Sequence, residues 1–459
     1  LQLILGGRPT AIHHGDPIAV LNLDPVLQQL RQSIQNPDYI KELVKRLLLD
    51  NRHRVRLTLR PDIHLESHRE EQQKAQLAKV KAALTENEKQ AIVEQAQRLL
   101  QRQKDIPDAN RLPKVGLEDV PAHHPMPVEK PIDSVIGRVA TYDQGTNGLV
   151  YHQVFFPLPA ISDQDAQRVP LLSSMLGDLG AGNHSYLELQ DRISAVSGGV
   201  HAFSLLRGNK ADTQQVQGYF GFSSKALNAN QAPMVQLLHD VISAPRFDEH
   251  ERIRELIAQY RSRVEQGITG SGHSLAMAAA SSGMNPAARL THLSTGLAGI
   301  KHIQHLDHQL NDPAQLTRLC DALTDLCTRM TQGAPRFLVV AESEAIQQGV
   351  TQLEKLWQGK AAQQVPPLAL PAVRQQVRQA WLTNSQVSFC AKAYPTVAAD
   401  HPDAPVLSVL GGFLRNGFLH RAIRETGGAY GGGASQDSNV GAFRFYSYRD
   451  PRLTGTLQD

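Results

Sequence analysis

The sequence predicts an α+β protein of several domains, in which strands alternate with helices. Its 459 residues exceed what one hydrophobic core usually holds, which predicts two to four domains. Apolar residues make up 41% of the chain, enough to bury sizeable cores. A segment with six prolines, residues 105–131, separates a helical part from the strand-and-helix part and is typical of a linker.

Composition and charge exclude several classes of function. Aromatic residues make up only 5% of the chain, which argues against a protein that stacks nucleic-acid bases. The net charge is +3 and the charged residues are interspersed, so no polyanionic partner is indicated. No apolar run approaches the roughly 20 residues needed to cross a bilayer. We therefore expect neither a nucleic-acid partner nor a membrane partner.

The cysteines and the first residue bear on the cellular compartment. The three cysteines form no CxxC pair and no disulfide framework, which favours reduced thiols and a reducing compartment. We expect a cytoplasmic location, with a mitochondrion or another organelle lumen as the alternative. The chain starts at Leu1 rather than at a methionine and shows no signal peptide, so we expect a piece of a longer polypeptide.

The first 60 residues predict helices followed by a strand. Asp24-Pro25 is a favourable helix start, and apolar residues then recur at helical spacing. Residues 39–49 carry a second apolar stripe of the same kind. The run 54–59 alternates between charged or polar and apolar residues, which predicts a half-buried strand that ends at Pro61.

Residues 63–104 predict a helical hairpin. They are rich in Glu, Gln, Lys and Ala and contain neither Gly nor Pro. Thr85 and Glu88 form the pattern of a capping box, which marks the start of the second helix. The apolar faces of both helices are narrow, so the hairpin is more plausible as a connector than as a core.

From residue 132 onward, strands and helices alternate. The predicted strands are 149–156, 200–206, 218–223, 336–341, 379–393 and 442–448. The predicted helices are 169–178, 186–196, 232–242, 247–266, 313–331 and 404–424. A segment rich in Pro and Gln, 361–373, separates a last unit, in which residues 427–433 form a turn or loop.

The last unit repeats the earlier one in outline. Gln190–Val200 (QDRISAVSGGV) lines up loosely with His420–Tyr430 (HRAIRETGGAY). Each stretch is helical, reaches a pair of glycines and is followed by predicted strands. An internal duplication is indicated, and the second copy is expected to be incomplete.

Arg424 and Tyr430 carry the chemistry that stands out in this sequence. They lie six residues apart and are joined by a glycine-rich stretch. A permanent cation and a phenol in this arrangement can polarise and hold a carbonyl oxygen. A solvent-exposed arginine at a helix end and a packed tyrosine are the structural alternative. A phosphate-binding loop is not indicated, because neither G-x-x-x-x-G-K-[ST] nor G-x-G-x-x-G occurs there.

Longer phrases around this pair resemble a known family. Residues 424–432 (RETGGAYGG) and Phe445–Pro451 (FYSYRDP) resemble the C-terminal half of presequence proteases, in the falcilysin-like branch of the pitrilysin–insulinase zinc peptidase clan. Asn416–His420 (NGFLH) and Leu48–Val55 (LLDNRHRV) fit the same family. The resemblance keeps the order of segments over nearly the whole chain, although the GGAYGG core is shared more widely in the clan.

The resemblance implies an architecture and a division into domains. In that family, four homologous domains, each a mixed β-sheet with helices packed on one side, form the two halves of a clamshell joined by a helical hairpin. Residues 1–60 would be the end of the second domain, and residues 61–115 the hairpin. Residues 116–365 would be the third domain, and residues 366–459 a truncated fourth domain.

The resemblance also implies a zinc enzyme, but the sequence predicts no zinc ligand in this chain. The family binds zinc through an inverted His-x-x-Glu-His motif, which none of the 19 histidines forms. In His64-Leu65-Glu66-Ser67-His68, the closest approach, Glu66 lies on another side of the helix than the two histidines. A solvated helix surface is the simpler interpretation there, and also for His302, His305 and His308. Zinc and the general base would then belong to the absent N-terminal half.

The resemblance assigns roles to four residues. Arg424 and Tyr430 match the motif positions whose side chains bind the scissile carbonyl and stabilise the oxyanion, so they are both catalytic and substrate-binding candidates. Gly427 and Gly428 are substrate-binding candidates, because glycines allow the backbone to come close to a bound peptide. The resemblance assigns no metal ligand to this chain.

We therefore expect the C-terminal half of a zinc metallopeptidase that degrades short unfolded peptides inside a closed chamber. Its partners would be peptide substrates and the N-terminal half of the same polypeptide, and this chain alone would be inactive. A non-catalytic binding or structural subunit of the same fold is the alternative, since the clan contains such relatives. A free-standing adaptor is a weaker third possibility.

Overall fold

The chain forms two compact units, Leu1–Pro107 and Asp108–Asp459. The structure, a computed structural model, describes residues 2–104, 110, 113–359, 365–366 and 368–459. The predicted linker 105–131 and the predicted separator 361–373 therefore lie partly outside the described residues.

The described part of the first unit is helical. Its helices are α1 (Gln2–Ile12), α2 (Asp24–Ser33), α3 (Tyr39–Val44, continued by the π-helical segment Lys45–Leu49), α4 (Leu65–Ala83) and α5 (Glu86–Lys104). The predicted capping box is confirmed before α5. The Thr85 N–H donates to Glu88 Oε2 over 2.8 Å, and the Glu88 N–H donates to Thr85 Oγ1 over 3.3 Å. These bonds satisfy N–H groups that the first turn of a helix leaves unpaired.

The strand predicted over residues 54–59 is wrong. This stretch has no regular secondary structure, and its alternating apolar side chains are exposed: Val55 by 89%, Leu57 by 79% and Leu59 by 86%. A strand forms only where a neighbouring strand accepts and donates its backbone hydrogen bonds. Among the strands of the described residues, none pairs with this stretch.

The second unit is built on a six-stranded sheet. Its strands are β1 (Ile132–Ser134), β2 (Gly137–Asp143), β3 (Leu149–Pro157), β4 (Val200–Gly208), β5 (Val216–Leu227) and β6 (Arg336–Ala341). Their order across the sheet is β1-β2-β6-β3-β5-β4. β2 and β6 are parallel and the other neighbours antiparallel, so the sheet is mixed.

Helices cover one face of this sheet. They are α6 (Asp163–Met175), α7 (Tyr186–Val196), α8 (Gln231–Ser243), α9 (His250–Ser281), α10 (Pro286–Ser294), α11 (Leu297–Gln309), α12 (Pro313–Thr331) and α13 (Ser343–Trp357). In β3, Val150, Val154 and Phe156 are buried, whereas Tyr151 between them is exposed. The predicted fold class, a mixed sheet with helices on one side, is confirmed here.

Helix α6 begins earlier than predicted. The sequence predicts a start near Val169 because Pro170 favours the first turn of a helix. The helix instead starts at Asp163, since Ser162 and Asp165 form a capping box. The Asp165 N–H donates to Ser162 Oγ over 3.1 Å, so this cap, rather than the proline, sets the boundary.

A smaller antiparallel sheet lies at the end of the second unit. It contains β7 (Ala391–Pro395), β8 (Gly431–Asp437) and β9 (Ala442–Tyr448) in the order β7-β9-β8. Helix α14 (Asp403–Leu414) precedes β8 and continues as a π-helical segment, Arg415–Thr426, and a short helix α15 (Thr454–Gln458) follows β9. A small core of buried residues joins the π-helical segment to this sheet, namely Leu419, Ile423, Ala429, Ala434 and Phe443.

Two boundaries predicted for this region are wrong. In place of the strand predicted over 379–393, the structure has β7 at Ala391–Pro395, the residues of this region that pair with β9. The loop predicted over 427–433 ends at Tyr430, because Gly431, Gly432 and Gly433 already pair with β9. In both cases pairing with β9 sets the boundary, which the local composition does not show.

Candidate functional site

The end of the π-helical segment positions Arg424 and the glycine turn. Gly428 has φ 81°, a left-handed conformation that glycine adopts without a steric cost. This turn lets the Gly428 N–H donate to the Arg424 carbonyl over 3.0 Å, and the Ala429 N–H to the Ile423 carbonyl over 3.1 Å. The chain therefore reverses sharply, as at many helix C-termini, and leaves Arg424 beside the next strand.

The hairpin of β8 and β9 positions Tyr430. The Tyr430 N–H donates to the Arg449 carbonyl over 3.2 Å, and Gly431 pairs with Tyr448 in the first rung of the hairpin. Ala429, one residue earlier, is buried at 3% exposure, whereas Tyr430 is 65% exposed. Because successive side chains point to opposite faces of an extended segment, the phenol faces solvent.

The structure brings the predicted pair together. The Arg424 guanidinium carbon lies 5.8 Å from the centroid of the Tyr430 ring, within the range of a cation–π contact. Both side chains are exposed, so their N–H and O–H donors are accessible to a ligand. A fixed cation with a neighbouring phenol can donate two hydrogen bonds to one carbonyl oxygen.

The two predicted glycines differ in their surroundings. Gly427 is buried, and a Cβ at this position would overlap the Arg452 guanidinium and approach the Ile423 carbonyl oxygen to 2.5 Å. Gly428 is exposed, and a Cβ there would meet only Pro451 at 3.5 Å. Gly427 is thus required by packing and Gly428 by its backbone conformation. Their role in substrate binding stays a prediction.

The structure also places residues here that the sequence did not single out. The Tyr448 ring meets the Tyr430 ring edge-on, with the centroids 5.7 Å apart, and the His273 ring lies 4.9 Å from Tyr448. The Arg449 guanidinium lies over Tyr448 at 5.3 Å. The sequence did contain a signal for two of these residues, because Tyr448 and Arg449 belong to the FYSYRDP phrase. No sequence signal connects His273 with this site.

The histidine patterns noted in the sequence do not form a metal site in the described residues. His64 and His68 are exposed near the start of α4, and their ring centroids are 6.1 Å apart. Burial lowers the pKa of His302 on α11, and the nearby charges of Arg168 and His305 lower it further. Across the described ranges, no group of three or more His, Cys, Asp or Glu residues could hold a metal ion.

Two family models match the chain. The family of regions associated with peptidases of family M16, subfamily C, matches residues 59–306, and the "PreP C-terminal domain" matches residues 382–459. The second match includes all of the residues predicted for the site.

Several curated proteins are similar to nearly the whole chain. The mitochondrial presequence protease of Drosophila melanogaster is 30% identical over 97% of this chain and 43% of its own length. The mitochondrial presequence protease of Xenopus laevis is 27% identical over 97% of this chain and 46% of its own length. The chain thus spans less than half the length of these relatives.

Among solved structures, the peptidase M16 inactive domain from Pseudomonas fluorescens is similar to this chain with a TM-score of 0.44 and 18% sequence identity. The match covers 70% of this chain and 73% of that domain's chain.

No helix among the described residues is both long enough and apolar enough to pass through a lipid bilayer.

Proposed function

Because this chain belongs to the family of regions associated with subfamily C of the M16 peptidases, we propose that it is the C-terminal half of a zinc metallopeptidase that degrades short unfolded peptides in a closed chamber. Arg424 and Tyr430 would bind the substrate and the transition state. Zinc and the general base would lie in the N-terminal half of the same polypeptide. The observation that carries this proposal is the contact between the Arg424 guanidinium and the exposed Tyr430 ring, at 5.8 Å.

The chemistry of the pair suits the cleavage of a peptide bond. Arginine stays positive at any physiological pH and offers five N–H donors, and the tyrosine adds one O–H donor. Both can donate to the carbonyl oxygen of the scissile bond. Their interaction strengthens as negative charge develops on that oxygen, so they stabilise the transition state more than the bound peptide.

The described residues offer no set of three metal-binding side chains, whereas catalytic zinc uses three protein ligands and a water. The metal would supply the activated nucleophile from the other half of the enzyme. The role proposed for this chain is limited to binding and orienting the peptide and stabilising the developing charge.

The open face of the six-stranded sheet suits a chamber wall. Phe155 meets Phe203 edge-on, with the ring centroids 5.8 Å apart. Gly221 lies beneath them, where a Cβ would come within 2.6 Å of the Phe203 ring. An apolar aromatic surface of this kind can hold unfolded segments of varied sequence. Enclosure would exclude folded proteins by size.

The exposed apolar side chains of the first unit favour the N-terminal half of the same polypeptide as a partner. Its described residues carry large apolar side chains in solvent along their whole length, including Leu48 at 63% and Val55 at 89% exposure. Surfaces of this kind mark sites of interaction.

The domain division and the compartment are proposals as well. We propose that residues 1–60 end the second domain, that 61–115 form the connecting hairpin, and that 116–365 and 366–459 belong to the third and fourth domains. For the compartment, the mitochondrial names of the relatives favour the organelle over the cytoplasm.

The test uses the complete gene product that contains this chain. The expected result is bound zinc and chelator-sensitive cleavage of an unfolded peptide. Arg424→Ala and Tyr430→Phe should each lower kcat by roughly 10²–10³, the cost of removing one oxyanion donor. Arg421→Ala and Tyr394→Phe are matched controls, because both residues are exposed and lie outside the proposed pair.

Three outcomes would overturn the proposal. A complete gene product without zinc and without peptide cleavage would support the alternative, a non-catalytic subunit of the same fold. Equal losses in the control variants would show that the pair has no special role. Chelator-sensitive cleavage by this 459-residue chain alone would place the metal site here.

A further inference from the structure

Arg449 has an unusual backbone conformation beside the candidate site. It follows β9 directly and has φ 48°, a left-handed conformation that is uncommon and unfavourable for residues other than glycine. Its carbonyl accepts the Tyr430 N–H over 3.2 Å. The next residue, Asp450, exchanges backbone hydrogen bonds of 2.7 and 2.9 Å with Ser388. The bonds on both sides therefore hold the unfavourable conformation in place.

The Arg449 side chain lies beside Tyr448, whose ring contacts Tyr430 of the predicted pair. Its guanidinium lies 5.3 Å from the Tyr448 ring centroid, and the Tyr448 ring meets the Tyr430 ring edge-on at 5.7 Å. The Arg424 guanidinium lies over the Tyr430 ring. Two guanidinium groups therefore stand beside two tyrosine rings that are in contact with each other.

Helix α9 packs against Tyr448 and Phe389. The helix departs from helical geometry at Ser271, and the next two residues contact the small sheet. A Cβ on Gly272 would come within 2.5 Å of the Phe389 ring. The His273 ring lies 4.9 Å from Tyr448, and Phe389 lies 5.8 Å from the same ring. Tyr448 is therefore fixed by packing, and the guanidinium over it stands on a rigid support.

The two arginines lack carboxylate partners in the described part of the chain. Among the described residues, no carboxylate forms an ion pair within 4.0 Å with Arg424 or Arg449. Other arginines of the same region are paired: Arg444 with Asp437 at 3.0 Å and Arg452 with Asp459 at 2.8 Å. Two cations without carboxylate partners can attract an anionic group of a ligand.

We propose that Arg449 is a specificity-determining residue that binds a carboxylate of the peptide substrate, and this inference rests on the proposed function. Arg424 and Tyr430 hold the scissile carbonyl, and Arg449 binds the carboxylate about two to four residues away, given roughly 3.3 Å per extended residue. The carboxylate is either the C-terminal group of a short peptide or an acidic side chain. Arginine suits this task because its planar donors match a carboxylate in pairs.

The test compares matched peptides in the complete gene product. One peptide ends in a free carboxylate and its twin in an amide, and a second, amidated pair carries Glu or Gln three residues after the scissile bond. We expect a higher kcat/KM for the charged member of one pair, by at least about tenfold, because a charge-assisted hydrogen bond contributes about 1.5–3 kcal/mol. The pair that shows the preference identifies which carboxylate Arg449 binds.

Variants of Arg449 assign the preference to this residue. Arg449→Asn removes the guanidinium, and asparagine tolerates a left-handed backbone, so the fold should be kept. In this variant the ratio of charged to neutral peptide should fall toward one, and Arg449→Lys should keep part of it. Arg318→Gln is the matched control, because Arg318 is exposed on α12 and its Nε donates only to the Ala314 carbonyl of its own helix.

The outcomes separate this inference from the proposed function. Equal kcat/KM within both pairs, or a preference that survives in Arg449→Asn, would overturn the role of Arg449 while the protease proposal stands. If the complete gene product cleaves no peptide, the same four fluorescently labelled peptides are titrated against it and followed by anisotropy. Tighter binding of a charged peptide, lost in Arg449→Asn, would then support the anion site, and equal binding would contradict it.

Discussion

Two segments of the second unit share one backbone plan and differ in chemistry. In the first, helix α7 reaches Gly198-Gly199 and is followed by the antiparallel strands β4 and β5. In the second, the π-helical segment reaches Gly427-Gly428 and is followed by β8 and β9. The second glycine of each pair is left-handed, with φ 109° at Gly199 and φ 81° at Gly428. The turn is therefore a structural device that both segments use.

The side chains around the two turns differ. After the glycines, the first segment places a buried Val200 and then an exposed His201, and the second a buried Ala429 and then the exposed Tyr430. Three residues before the glycines, the first segment has Ala195 where the second has Arg424. Only the second segment thus combines a cation and a phenol. We infer that both turns position side chains in the same way, and that the proposed function depends on the exposed Arg424 and Tyr430.

Replacing each left-handed glycine with alanine should show most clearly that the two turns differ in their importance for peptide cleavage. An alanine forced into a left-handed conformation costs about 1–2 kcal/mol, so Gly428→Ala and Gly199→Ala should both lower stability. The loss should be somewhat larger for Gly199→Ala, because its Cβ would also come within 2.7 Å of the His201 ring. Only Gly428→Ala should also reduce peptide cleavage, by at least about tenfold, because a shift of about 1 Å in a positioning group can cost about 10²-fold. Urea unfolding and kcat/KM measure the two effects.

The Gly199→Ala variant serves as the control for general destabilisation. If it reduces cleavage as much as Gly428→Ala does, the loss follows from stability rather than from the position of Tyr430. The comparison between the two turns would then fail.

The buried core should show a dependence of stability on pH. His152 on β3 is fully buried, and its Nε2 lies 3.0 Å from Gln231 Nε2. Burial lowers the pKa of His152 to about 4, against an ordinary value near 6.5. Between these values the unfolded chain binds a proton that the folded protein does not. Stability should therefore fall as pH decreases from 6.5 toward 4, by up to about 1.4 kcal/mol per pH unit.

The variant His152→Leu isolates this contribution. It places an apolar side chain of similar size in the core and removes the titrating imidazole. Gln231 Nε2 still donates to the Ala345 carbonyl over 3.1 Å. Unfolding free energies measured from pH 7 to pH 4 should fall less steeply in the variant. Parallel curves for both proteins would show that His152 does not contribute to the dependence on pH.

Local signals allowed much of the fold to be predicted. Tyr186–Val196, Pro313–Thr331, Arg336–Ala341 and Ala442–Tyr448 have the boundaries that the sequence predicts. Helix α7 shows why, because Ser185 and Glu188 form its capping box, and Asp312 caps α12 just before a proline. Such signals act within a few residues and can be read directly from the sequence.

The remaining features depend on residues far apart in the chain. The stretch 54–59 has the alternation of a strand but no neighbour in the described residues, and 379–393 is a strand only where β9 reaches it. At the candidate site, the approach of Arg424 and Tyr430 follows from a local turn and could be predicted. The contact between His273 and Tyr448 requires α9 to pack on the small sheet, which no local pattern indicates.

A double-mutant cycle on kcat tests most directly whether Arg424 and Tyr430 act together on one oxygen. The complete gene product is compared with Arg424→Ala, Tyr430→Phe and the double variant at saturating peptide. Groups that stabilise the same charge are not additive, so the double variant should lose much less than the product of the two single losses. Single variants that keep the full kcat, or losses that simply multiply, would contradict the account.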